Sequence, residues 1–113
     1  MTTETLHDLP QWRAAVARHP VALLFKHSPI CPISARALTQ WERFVSSHPE
    51  VPTLFVDVIA DRAVARGLAQ ECGVPHQSPQ AILFRDGSPA WDASHDDIRV
   101  ESLANALKSA LAG

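Results

Sequence analysis

The sequence predicts one α/β domain over residues 1–113, with helices covering both faces of a mixed four-stranded sheet. Three observations carry this. Val21-Ala22-Leu23-Leu24-Phe25 and Thr53-Leu54-Phe55-Val56-Asp57-Val58 are apolar runs bounded by turn residues, the pattern of strands buried on both faces. Each is followed by a segment whose apolar residues recur at helical spacing. Near the end, Asp86-Gly87 separates two short strand-like runs, and the positive φ preference of that dipeptide marks a hairpin.

The elements follow in order. Asp8 is placed to cap a helix with Pro10 in its first turn, which runs to about His19 and buries Trp12 and Val16. After the first central strand, Pro32 opens a long helix in which Ala37, Leu38, Trp41, Phe44 and Val45 share a face, ending near Ser47. Beyond the second strand, Asp61 is expected to cap a helix containing Val64, Leu68 and Cys72, closed by a left-handed Gly73. The strands Gln80 to Arg85 and Pro89 to Ala93 flank the hairpin turn. A closing helix presents Val100, Leu103, Ala104, Leu107 and Leu111 as one stripe. Trp41 reads as core, Trp12 and Trp91 as half-buried. Two right-handed crossovers make the first strands parallel neighbours, and the hairpin makes the later pair antiparallel. This order of elements is that of the thioredoxin-like fold.

Composition narrows the function. Hydrophobic residues make up 46% of the chain and charged ones 19%, which places it with globular rather than disordered proteins. A formal charge of −2 without a basic run gives no electrostatic reason to expect nucleic acid or an anionic membrane as partner. Met1 to Thr5 has no basic stretch leading into an apolar one, and no apolar run is long enough to span a bilayer, so the expected location is cytoplasmic. A domain of this size needs no disulfide staple, so Cys31 and Cys72 read as chemistry or core.

The chemistry concentrates in Ser28-Pro29-Ile30-Cys31-Pro32-Ile33-Ser34, which joins a central strand to a helix. At a helix N-terminus, unpaired N–H groups and the helix dipole favour thiolate over thiol, and thiolate is the attacking species in disulfide exchange. Cys31 is therefore the candidate nucleophile, against the alternative of an inert buried cysteine. Ser34 stands where dithiol oxidoreductases carry their second cysteine, although position alone fits an ordinary helix-surface serine equally well. Its hydroxyl can hydrogen-bond a thiolate but cannot displace a mixed disulfide, so an outside thiol has to do so. A proline such as Pro79, just before the third strand of this fold, is expected to be cis and to face the cysteine, making Ser78 a ligand contact. His27 and His76 flank the site from two loops, where either could add charge or move a proton. Cys72 reads as a core residue rather than a resolving thiol, since the end of another helix is a poor place from which to bring its Cα within ~7 Å of that of Cys31. Cys72 and His76 make only a lone pair of possible ligands, so no metal site is expected.

Taken together, Lys26-His27-Ser28, Cys31-Pro32-Ile33-Ser34, Val56-Asp57-Val58-Ile59 before Asp61-Arg62, Ser78-Pro79-Gln80 and Trp91-Asp92-Ala93-Ser94-His95 resemble the YtxJ-type monothiol bacilliredoxins over nearly the whole chain. The resemblance implies an oxidoreductase whose Cys31 takes bacillithiol from S-bacillithiolated client proteins and is regenerated by a second thiol. Bacillithiol is then a co-substrate and no cofactor is tightly bound. Cys31 and Ser34 become the catalytic pair, and Pro32, Ser78, Pro79, His27 and His76 line the substrate. Two other functions fit the residues less well. An iron–sulfur carrier like the monothiol glutaredoxins shares the cysteine and serine spacing, but Pro32 removes a backbone donor that a cluster sulfide could use. A redox-inactive interaction module would leave Cys31 no more reactive than a free thiol.

Overall fold

A computed structural model describes residues 3–112. The chain order is β1 (Thr3–Thr5), α1 (Leu9–Arg18), β2 (Val21–His27), α2 (Pro32–Ser47), β3 (Thr53–Asp57), α3 (Arg62–Cys72), β4 (Gln80–Arg85), β5 (Ser88–Ser94), a short 3₁₀ turn (His95–Asp97) and α4 (Val100–Ala112). The strands form a five-stranded sheet in the order β1-β3-β2-β4-β5. β2 is central, parallel to β3 and antiparallel to β4. The thioredoxin-like α/β class is therefore right, and the strand count of four is corrected to five. The missed strand, Thr-Glu-Thr, is short and polar and lies parallel to β3 at the sheet edge, so it carries no apolar alternation to read.

Alternation along the strands divides the interior into two cores. On one face Leu23, Phe25, Ala81 and Leu83 pack against Trp41, Phe44 and Val45 of α2 and Leu103 and Leu107 of α4. On the other, Ala22, Leu24, Leu54, Val56, Ile82 and Phe84 pack against Trp12 of α1 and Val64 and Leu68 of α3. Every strand-facing helix thus buries a stripe that would otherwise expose apolar surface, the main stabilising contribution to such a domain.

The local signals agree with the structure apart from three exceptions. Asp8 caps α1 through a reciprocal capping box with Gln11, and Gly73 ends α3 at φ 74°. Asp86 and Gly87 take φ values of 51° and 83° in the hairpin turn. Asp61, however, makes no side-chain cap to α3; its carboxylate meets His7 Nδ1 at 3.1 Å. The turn before α3 is instead held by Asp57 Oδ1, which accepts from the Ile59 and Ala60 N–H groups at 2.9 and 3.0 Å. In α4, Leu111 is 67% exposed and Ala106 and Ala110 take the inner positions, because the stripe turns with the 3.6-residue period. Trp12 is buried, not half-buried, with its ring edge-on to Phe84 at 5.6 Å.

Candidate active site

β2 ends at His27, and four residues carry the chain to Cys31. Ser28 is buried while Pro29 and Ile30 are exposed, and the Cys31 N–H donates to Ser28 O at 3.2 Å, closing a tight turn. Cys31 is the N-cap residue of α2, with extended φ and ψ of −106° and 121° and its carbonyl accepting from Ala35 N–H at 3.1 Å. Its side chain makes no capping bond, is free of any disulfide and is half-exposed. The sulfur thus stands at the positive end of a 16-residue helix without a competing intrahelical role. Pro32 occupies the first turn, where a missing N–H leaves no bond unmade.

Ser34 is fully buried and does not hydrogen-bond Cys31. Its Oγ accepts from the Ser28 N–H at 2.9 Å and lies 2.8 Å from His27 Nδ1. With one position already accepting, the serine hydroxyl is free to donate to His27 Nδ1, which puts the imidazole proton on Nε2. Burial lowers the His27 pKa, with the charges of Asp57 and Glu42 opposing, so the ring is neutral near pH 7. It lies among aromatic rings, stacked on Phe25 at 6.0 Å and tilted against Phe55 at 5.8 Å. The serine at the position of a second cysteine therefore ties the first turn of α2 back to the end of β2.

The Ser78–Pro79 peptide is cis, Pro79 is buried and Ser78 is half-buried. Gln80 pairs with Lys26, so antiparallel pairing of β2 and β4 brings Pro79 to the level at which β2 gives way to the cysteine loop. The Pro79 carbonyl accepts from the His95 N–H at 3.1 Å, and His95 takes φ 57° to make that bond. This gives the His95 segment a structural role that its sequence alone does not reveal. The 3₁₀ turn that His95 opens carries Asp96, whose carboxylate is held by Arg36 of α2 through Nε at 3.2 Å and Nη2 at 3.1 Å. That pairing raises the Arg36 pKa, through the hydrogen bond first and the charge of Asp96 second, with a smaller contribution from Cys31. Arg36 and Asp96 thus join the helix bearing Cys31 to the turn that holds Pro79.

The two histidines lie on opposite faces of the sheet. His27 faces α2, whereas His76 reaches the α3 face, with Nδ1 3.3 Å from Lys26 Nζ. Burial lowers the His76 pKa first, and the charges of Lys26 and Arg66 lower it further, so it too is neutral near pH 7. Neither brings a positive charge to the site at that pH. Cys72, half-buried at the end of α3, packs against the α3-face core. Its pKa is raised, chiefly by burial and next by Glu71, with Lys26 opposing, which keeps it a thiol. Sequence reasoning assigns no separate role to Lys26, Arg36 or Asp96. Lys26 does carry a signal: it is a cation that continues an apolar run read as buried on both faces.

The family profile of "Monothiol bacilliredoxin BrxC" matches residues 4–103. A solved structure described as a candidate oxidoreductase with a thioredoxin fold is 31% identical, with a TM-score of 0.87 and 93% of each chain covered. Oxidised mitochondrial thioredoxin 3 from Saccharomyces cerevisiae is similar at 17% identity and TM-score 0.75, covering 95% of this chain and 94% of its own. Thioredoxin from Trypanosoma brucei brucei is 15% identical at TM-score 0.78, covering 99% and 93%. These last two support the fold. The family match spans β1 through the first turn of α4, taking in both the cysteine loop and the cis-proline segment. On that extent the chain belongs to the monothiol bacilliredoxin family.

Proposed function

We propose that the protein is a thiol–disulfide oxidoreductase of one-cysteine mechanism that removes bacillithiol from S-bacillithiolated protein cysteines. The Cys31 thiolate attacks the bacillithiol sulfur of the client's mixed disulfide. That bond breaks, the client cysteine leaves as thiolate and takes up a proton, and a Cys31–bacillithiol disulfide forms. A second low-molecular-weight thiolate then attacks this disulfide at the bacillithiol sulfur and releases Cys31 as thiolate, so the electrons come from the external thiol. The observation that carries the reading is the free, half-exposed Cys31 at the N-terminus of α2, with a buried serine where a resolving cysteine would stand. The segment around Ser78 and Pro79 supplies backbone for an extended thiol-bearing ligand, with Pro32 and His27 on one side and His76 on the other. The clients are cytoplasmic proteins, and the reaction needs no bound cofactor, metal, nucleic acid or membrane.

Intact-mass analysis after exposure to oxidised bacillithiol tests this. One bacillithiol adduct is expected, abolished by Cys31→Ser and retained in Cys72→Ser. An adduct on Cys72 instead, or equal labelling by glutathione disulfide, would overturn the assignment.

A further inference from the structure

At its active-site end, the α3 face of the sheet carries two fully buried polar side chains, Lys26 and Gln80, which are Cα partners across β2 and β4. On that face Val56, level with Lys26 on β3, and Leu24 and Ile82, the next pair along, are apolar. Desolvating an ammonium there is unfavourable unless it is hydrogen-bonded, and burial lowers the Lys26 pKa to about 8, with Cys72 opposing. Both side chains are directed to one loop. Gln80 Nε2 donates to Pro75 O at 3.1 Å, Gln80 Oε1 accepts from Gln77 N–H at 3.4 Å, and Lys26 Nζ reaches His76 Nδ1 at 3.3 Å. An ammonium has donors only, so the imidazole atom facing it has to be the acceptor. His76 therefore carries its proton on Nε2, away from the sheet, on a residue that is otherwise exposed. The charged or titratable groups around it are Lys26 from β2 and Arg66 and Cys72 from α3.

We propose that Lys26 is a positioning residue for thiol exchange: from beneath the loop it fixes the His76 proton on Nε2 and, with Gln80, seats residues 75–77 directly before the Ser78–Pro79 segment. His76 then offers a single N–H donor to an acceptor oxygen of the small thiol. This rests on the bacillithiol reading above and adds to it a device for ligand binding rather than for the chemical step.

The test begins with long-range ¹H–¹⁵N spectra of the wild-type protein, which should show His76 protonated on Nε2 alone at pH 7. In Lys26→Met, an unbranched apolar replacement that needs no solvation, the two tautomers should mix and the His76 midpoint should move up toward 6.5. KM for a bacillithiolated client should rise roughly three- to tenfold with kcat little changed. In a His76→Ala background, Lys26→Met should add nothing further to KM. A wild-type Nδ1–H tautomer, or a Lys26→Met effect undiminished in His76→Ala, overturns the proposal. Should Lys26→Met not fold, the wild-type tautomer decides, because it requires no variant. A wild type that never accepts bacillithiol would instead refute the functional reading, leaving the tautomer result to stand on its own.

Discussion

Replacing Ser34 by alanine isolates what the serine does in a one-cysteine site. The side chain is fully buried, and its Oγ serves the Ser28 N–H at 2.9 Å and His27 Nδ1 at 2.8 Å. Removing it leaves the Ser28 N–H, on a residue only 9% exposed, without an acceptor, a loss of about 1–3 kcal/mol. His27 is half-exposed and can turn to water, so its share is smaller, about 0.5–1 kcal/mol. The sum is about 1.5–4 kcal/mol. For a domain of 113 residues that lowers Tm by roughly 10 °C. Urea unfolding should show a lower midpoint at unchanged slope, and the His27 titration should shift because Nδ1 has lost its partner. A stability loss below about 0.5 kcal/mol with an unmoved His27 titration would refute the assignment of Ser34 as the tie between α2 and β2.

Three further outcomes follow. His27 and His76 both have pKa values lowered by burial, so the unfolded chain binds their protons first as pH falls. The histidines' contribution to stability is therefore full above 6.5 and should decline from there down through the folded values; urea midpoints at pH 7.5 and 5.5 check this, and a flat profile would contradict it. Gly73 sits at φ 74° with open space where a β-carbon would stand, so Gly73→Ala should cost about 1–2 kcal/mol in denaturant unfolding, from backbone conformation alone. The Arg36–Asp96 pair is largely exposed, so Arg36→Ala should leave the urea midpoint nearly unchanged while slowing exchange through Cys31, measured by single-turnover transfer from a bacillithiolated peptide.

Much of this architecture is legible in the sequence because its signals are local. Continuous apolar runs mark β2 and β3, Asp86-Gly87 marks the hairpin, and Gly73 marks the end of α3. β1 escapes because three polar residues acquire strand character only by pairing with β3, a non-local contact. Asp61 misleads for a related reason: its carboxylate pairs with His7, a residue distant in sequence, while Asp57 holds the Ile59 and Ala60 N–H groups of the turn that precedes the helix. Within the site, the cysteine at a helix start can be anticipated from residue order, and the cis proline before β4 only through the fold that the order of elements predicts, since X-Pro bonds are otherwise mostly trans. The partner of Ser34, the reach of Asp96 to Arg36 and the burial of Lys26 cannot, since each depends on which face of an element meets its neighbour.

Lys26 and His27 are adjacent in the chain, yet strand alternation sends one to the α3 layer and the other to the α2 layer. The number of residues within β2, Val21–His27, is therefore under a parity constraint. Deleting or inserting one residue inside β2 would exchange the cation and the imidazole between compartments and at the same time turn Leu23, Leu24 and Phe25 toward the wrong cores. Length variation in descendants of this sequence should accumulate at the Asp86-Gly87 tip, where it disturbs neither layer, and be purged from the stretch leading to Cys31.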